Sequence, residues 1–156
     1  MKKIAVYLDT SNIYYGVREI YNSKVDYTKL IEYLEPLGDI KIKKSFSAQF
    51  GKQATGFLSR LNKLGFETFC KEPKSYNTRN GLKHKADWDV GMTVEVMKDM
   101  PSVEMVILCT ADSDFVPLVK YLQENGRKVL VVACNISWEL KEVASDYIEL
   151  PRMLLL

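Results

Sequence analysis

Five aspartates stand where they could share one chemical task. Asp9 closes an apolar run at residues 4–8, and Asp112 and Asp114 follow a second apolar run at 103–109 within a few residues. Asp87 and Asp89 stand just before a helical segment that leads back into that second run. Carboxylates packed together repel one another unless something positive sits among them. Hard divalent ions such as Mg²⁺ or Mn²⁺ prefer oxygen ligands and keep part of their water shell. Such an ion orients and activates water and stabilises charge building on a phosphate. Asn12, Thr110 and Ser113 add neutral polar groups beside the acids. Each aspartate also has a plainer use: Asp9, Ser11 or Asn12 could cap one helix, and Asp112, Ser113 or Asp114 another. Capping accounts for one acid per helix, but not for Asp112 together with Asp114.

The charge distribution supplies a candidate substrate class. Residues 41–85 hold eleven Lys or Arg and two acids, Glu67 and Glu72, a surplus of nine positive charges. The rest of the chain holds eleven basic residues and eighteen acids, a deficit of seven, so the net charge of +2 hides a strong asymmetry. That pattern suits a polyanion binder with an acidic metal-collecting site. Solvated lysines on exposed helices and loops are the plainer reading.

The elements that must position these groups follow from periodicity. Residues 4–8 read as a buried strand, followed by a helix at 13–21 after the cap-rich Asp9-Thr10-Ser11-Asn12. A helix is expected at 27–37 behind Asp26 or Thr28, then an alternating strand from 40 that ends near Ala48. A helix at 52–64 stops at Gly65, and a strand covers 66–71. Residues 72–85 are polar, contain Pro73, Asn77, Asn80 and Gly81, show no period, and read as a mobile loop. Then come a helix at 88–100, a strand at 103–109, and a turn and helix at 112–125. A strand at 128–134, a short helix at 137–144 and a short strand at 147–150 complete the chain. Alternating strands and helices indicate an α/β fold with a mainly parallel sheet and right-handed crossovers. Sites in such sheets form beyond the carboxyl ends of the strands, where strand order switches. If strands 4–8 and 103–109 are neighbours, Asp9, Asp112 and Asp114 meet there.

Composition excludes several classes. A chain of 156 residues fits a single domain, and no repeat or linker interrupts it. No apolar run approaches the roughly 20 residues needed to span a bilayer, and residues 1–8 lack the features of a signal peptide. A cytoplasmic location without membrane contact is expected. Cys70, Cys109 and Cys134 are far apart, which suits buried thiols rather than a disulfide framework or zinc cluster. The single histidine, His84, argues against a His-based triad or zinc site. The apolar stretch Met153-Leu154-Leu155-Leu156 is either a contact strip, leaving a homodimer open, or a tail packed on its own core.

The motifs resemble the NYN domain of the LabA-like group in the PIN-like nuclease superfamily. The resemblance spans about residues 3–150 and rests on three segments taken together. They are Val6-Tyr7-Leu8-Asp9-Thr10-Ser11-Asn12, Lys85-Ala86-Asp87-Trp88-Asp89-Val90-Gly91-Met92 and Thr110-Ala111-Asp112-Ser113-Asp114-Phe115. It implies a three-layer α/β/α PIN-like (Rossmann-like) fold with a central, mainly parallel sheet of five to six strands. It also implies a carboxylate-bound Mg²⁺ or Mn²⁺ and RNA cleavage. By motif position Asp9, Asp89, Asp112 and Asp114 carry over as the catalytic and metal-binding acids, with Asn12 as a polar helper. Glu95 sits where the family often has another acid, but six residues of helix place it well off the face of Asp89. Asp87 could share a side with Asp89 if the backbone there is extended. The family usually shows Ser-Gly before Asp-Ser-Asp, and here it is Thr110-Ala111, so a positive φ at that turn is disfavoured.

These readings combine into a metal-dependent ribonuclease acting on single-stranded RNA. Lys43, Lys44, Lys74, Arg79, Lys83 and Lys85 would draw the backbone in, and Trp88, Tyr76, Tyr14 or Tyr15 could stack bases. For Tyr14, Tyr15 and Trp88 packing within the fold is the competing role. Two rivals are a non-catalytic RNA-binding or regulatory protein that keeps the fold, and a phosphatase or phosphotransferase. Asp9-Thr10-Ser11-Asn12 suits aspartyl-phosphate chemistry poorly.

Overall fold

A computed structural model describes residues 1–156 apart from 49–52, 72–73 and 86, with side chains at 53–55, 74–76 and 82–85 also left undescribed. The first strand, β1 (Lys3–Asp9), is buried from Ile4 to Leu8, because its run KIAVYLD offers apolar groups to both faces of a sheet. Helix α1 (Thr10–Tyr21) follows at once, three residues earlier than periodicity suggested. Asp26 caps α2 (Tyr27–Leu34), accepting from the Lys29 N–H, and a 3₁₀ turn at Glu35–Leu37 finishes that segment. Strand β2 (Asp39–Ala48), helix α3 (Gln53–Lys63) and strand β3 (Glu67–Lys71) come next, with Gly65 at φ +91 between the last two.

The expectation of a structureless loop at 72–85 needs correction. The backbone forms a hairpin, β4 (Lys74–Thr78) paired antiparallel with β5 (Gly81–Lys85). Only Arg79 and Asn80 connect the strands, and Gly81 has φ +108. The Asn-Gly step was the available signal, since positive φ near a two-residue turn closes a tight hairpin. The polar composition of this segment hid its period.

Helix α4 (Asp89–Asp99) and a 3₁₀ turn at Met100–Ser102 lead into β6 (Met105–Cys109). A 3₁₀ turn at Ser113–Phe115 precedes α5 (Val116–Glu124), and β7 (Lys128–Ala133), α6 (Trp138–Val143) and β8 (Asp146–Glu149) complete the alternation. The six strands of the main sheet run in the order β3-β2-β1-β6-β7-β8, and every neighbouring pair is parallel. From β1 the chain winds outward through β2 to β3, then returns to β6 and winds the other way. The switch point therefore lies between β1 and β6. Right-handed crossovers place α1, α2 and α3 on one face and α4, α5 and α6 on the other. This is the α/β architecture expected, with six strands.

One buried ionic network ties α4 to the sheet. Lys44 is only 9% exposed and pairs with Glu95 at 3.2 Å and Asp99 at 2.8 Å. The Tyr7 hydroxyl, on the strand position beside Lys44, donates to Asp99 at 2.9 Å. The C-terminal stretch packs on its own core: Leu154 and Leu155 are buried, Met153 and Leu156 exposed. Among the described residues no helix is long and apolar enough to cross a membrane. Removing one member of a buried charge network leaves the others uncompensated. Lys44→Met should therefore lower the unfolding free energy by about 3 kcal/mol. Urea denaturation showing a loss well under 1 kcal/mol would mean the network is solvated.

Candidate metal centre at the sheet switch point

The pairing of β1 with β6 sets Leu8 opposite Cys109, so the next residues out, Asp9 and Thr110, meet at the carboxyl edge. The Thr110 hydroxyl donates to Asp9 Oδ2 at 3.0 Å and accepts from the Asp112 N–H at 3.3 Å. Asn12, on the first turn of α1, accepts the Ala111 N–H at 2.8 Å, and Ser137 donates its N–H to the Ala111 carbonyl at 3.3 Å. The loop carrying Asp112 is therefore held from both sides. Ala111 has no positive φ, so this turn does not use the conformation that favours glycine, and the alanine is accommodated. Asp112 Oδ1 accepts the Asp114 N–H at 2.9 Å, which folds the two acids into one turn.

Across the crevice Asp89 opens α4. Carboxylate oxygens of Asp89, Asp112 and Asp114 lie within 4.8 Å of one another. Asp9 is mostly buried behind this trio and acts on it through charge. Burial raises the Asp9 carboxyl to about 6. The Thr110 and Asn12 hydrogen bonds oppose that rise, and the Asp112 and Asp87 charges add to it. Asp89 is also raised to about 6, first by burial and then by the charges of Asp112, Asp87, Asp9 and Asp114. Asp87 accepts the Asp89 N–H in a long contact of 3.4 Å. Among the described residues no lysine or arginine pairs with Asp9, Asp89, Asp112 or Asp114. Unpaired acids this close, with oxygens at a separation one ion can bridge, fit a hard divalent cation.

The same helix shows what a satisfied acid looks like. Glu95 pairs with Lys44 and with Lys98 at 2.9 Å, and the Lys98 hydrogen bond, ahead of that from Lys44, holds its carboxyl below the ordinary value. Glu95 thus belongs to the structural network rather than to the trio. Ser113 lies in the 3₁₀ turn between Asp112 and Asp114.

The basic residues divide differently from expectation. Lys44 is turned inward, and Lys43 donates to the Leu64 carbonyl at 2.7 Å, so neither stands free on the surface. The physical reason is that both extend from a strand covered by helices. Arg79 is exposed at the hairpin turn. The side chains of Lys74, Lys83, Lys85 and Tyr76 lie outside the described residues. Trp88 is half-buried: its indole N–H donates to the Ser47 carbonyl at 3.0 Å and its ring packs edge-on against Phe46 and Phe69. Lys71 lies 4.4 Å from the Trp88 ring centre. These contacts make Trp88 a wall that seats the start of α4.

The sequence pattern of the NYN domain matches residues 3–151. The chain belongs to the NYN domain family. NYN domains belong to the PIN-like nuclease superfamily, so the acidic crevice lies in a domain of nuclease type. An uncharacterized protein of Methanocaldococcus jannaschii is 27% identical over 150 residues, 94% of this chain and 54% of that protein. The chain spans about half the length of this curated relative. A crystal structure of a protein of unknown function from Vibrio parahaemolyticus superposes with a TM-score of 0.88 and 30% identity, covering 99% of this chain and 96% of that one.

The raised carboxyls give a pH signature to this NYN domain. A carboxyl near 6 when folded and about 3.9 when unfolded binds its proton more tightly in the folded state. Its stabilising contribution is full below about pH 4 and is lost as pH rises through 6. Metal-free Asp9→Asn should therefore gain stability relative to wild type as pH rises from 4 to 7. Thermal melts of both proteins in a chelator across that range test this. A difference that does not vary with pH would place Asp9 in a solvated setting.

Proposed function

We propose that this NYN domain is a metal-dependent ribonuclease that hydrolyses phosphodiester bonds of single-stranded RNA. The observation that carries the reading is the Asp89–Asp112–Asp114 trio, three carboxylate oxygens within 4.8 Å with no cation paired to them among the described residues. Asp89, Asp112 and Asp114 would hold Mg²⁺ or Mn²⁺, and Asp9 behind them would add charge or a water-mediated contact. A bound divalent ion would supply water activation and stabilisation of charge on the phosphate. The protein's own part is positional. Asn12 and Ser137 fix the loop, Thr110 bridges Asp9 to Asp112, and Trp88 seats the helix that presents Asp89. Arg79, with Lys74, Lys83 and Lys85 on the same hairpin, would attract the polyanion. Asp87, which accepts the Asp89 N–H, would add its charge to the same centre.

Labelled single-stranded RNA incubated with Mn²⁺ should be cut by the wild type, and at least ~100-fold more slowly by Asp112→Asn. Equal cleavage by both proteins would sink the assignment. Mn²⁺ should also raise the melting temperature at pH 7.5 and lose that effect near pH 5, where Asp9 and Asp89 are protonated. Metal binding and RNA binding without turnover would favour the second reading, a non-catalytic RNA-binding or regulatory protein.

A further inference from the structure

On the face of the sheet opposite α4, a cavity of about 520 Å³ opens between α1, α2 and α3. Thr10 and Ser11, the two residues that follow Asp9, are among its lining, so it adjoins the strand end that carries the carboxylate crevice. Thr10 is locked in place, donating to the Phe46 carbonyl at 2.8 Å and sharing a hydrogen bond with the Ser47 hydroxyl at 2.7 Å. Two ring pairs flank the opening. Tyr14 and Tyr15 meet edge to face at 5.2 Å, and Tyr27 and Phe57 are tilted at 5.7 Å. Tyr14 and Tyr15 are 39% and 61% exposed, so helix packing does not explain them.

The charges of the lining point one way. Arg18, Lys24 and Arg60 face it, and Asp26, the one acidic side chain among the described lining residues, already caps α2 through Lys29. Arg18 donates to the Tyr14 hydroxyl at 3.1 Å through one nitrogen, which leaves its other donors available. Surplus cations beside exposed aromatic rings complement a phosphate backbone that carries unstacked bases. A duplex keeps its bases stacked and cannot offer their faces. The volume lies in the range of small-ligand sites, large enough for a nucleotide.

We propose that this cavity is a single-strand subsite, seating the nucleotide adjacent to the bond that lies over the carboxylates. Tyr15 and Tyr14 stack the base, and Arg60, Arg18 and Lys24 hold the flanking phosphates. The proposal rests on the ribonuclease reading.

The test is binding of a fluorescent single-stranded oligoribonucleotide by anisotropy, in a chelator, across a salt series. Tyr15→Ala should weaken binding roughly tenfold. Arg60→Ala and Lys24→Ala should each weaken it and lower the slope of log affinity against log salt by about 0.7. A duplex of the same length should bind more weakly and respond less to Tyr15→Ala. Mn²⁺ affinity, measured by calorimetry without RNA, should be unchanged in all three variants, showing an intact fold and metal centre. Wild-type affinity and salt slope in these variants would overturn the subsite while leaving the ribonuclease reading in place. Failure of the wild type to bind or cut RNA would instead overturn that reading, and the subsite with it.

Discussion

The parallel pairing of β1 with β6 is the constraint on which the rest of this protein depends. Both strands are buried on both faces, so their apolar side chains fix them at the centre of the sheet. Their register places Leu8 beside Cys109 and thus Asp9 beside Thr110. A slip of one residue would turn Asp9 to the opposite face and separate it from Asp112 and Asp89. Because the chain winds away from this pair in both directions, no crossover helix covers the carboxyl edge between them. The crevice is a consequence of topology, and the acids line it because they are the first residues beyond the strands.

Helix α4 shows how one element serves two electrostatic purposes. Toward its C-terminal end Glu95 and Asp99 meet Lys44 inside the protein, and the charges are matched. At its start Asp89 faces Asp112 and Asp114 with no cation paired to it among the described residues. The matched network anchors the helix, and the anchor holds the unmatched carboxylate in place against repulsion. Trp88 adds to this, since its ring packs on Phe46 and Phe69 and its N–H is bonded to β2. Gly91 passes so near the Trp88 ring that a Cβ there would lie 2.6 Å from it, so the first turn of α4 is tightly seated.

The two faces of the sheet carry different chemistry that converges at one edge. Asp9 shares strand parity with Tyr7, whose hydroxyl reaches Asp99, so the acids gather on the α4 side. The aromatic and cationic cavity lies on the α1–α3 side and has Thr10 and Ser11 among its lining. A single strand crossing the carboxyl edge would meet both. Carboxylates that repel phosphate without a cation and arginines that attract it are thereby kept a few residues apart.

Much of this was legible in the chain itself. Continuous apolar runs at β1, β6 and β7 marked central strands, and acids placed just past two of them marked the edge where a site could form. Thr110 and Asn12 stood out as polar neighbours of those acids, and the structure gives them bonds to Asp9 and Ala111. Glu95 was rightly set apart from Asp89 by helix geometry, but Lys44 was misleading because charge type carries no information about direction. Only the packing of α4 on β2 decided that they neutralise each other inside the fold. The cavity behind Ser11 was equally hidden, since Arg18, Lys24, Phe57 and Arg60 come from separate segments with no shared spacing. Sequence alone determined the order of elements in the main sheet and the residues at its strand ends, because burial and period are local properties, but not the β4–β5 hairpin. Tertiary structure decided which charges face water, which face each other and which face an empty space, because those depend on groups brought together from distant parts of the chain.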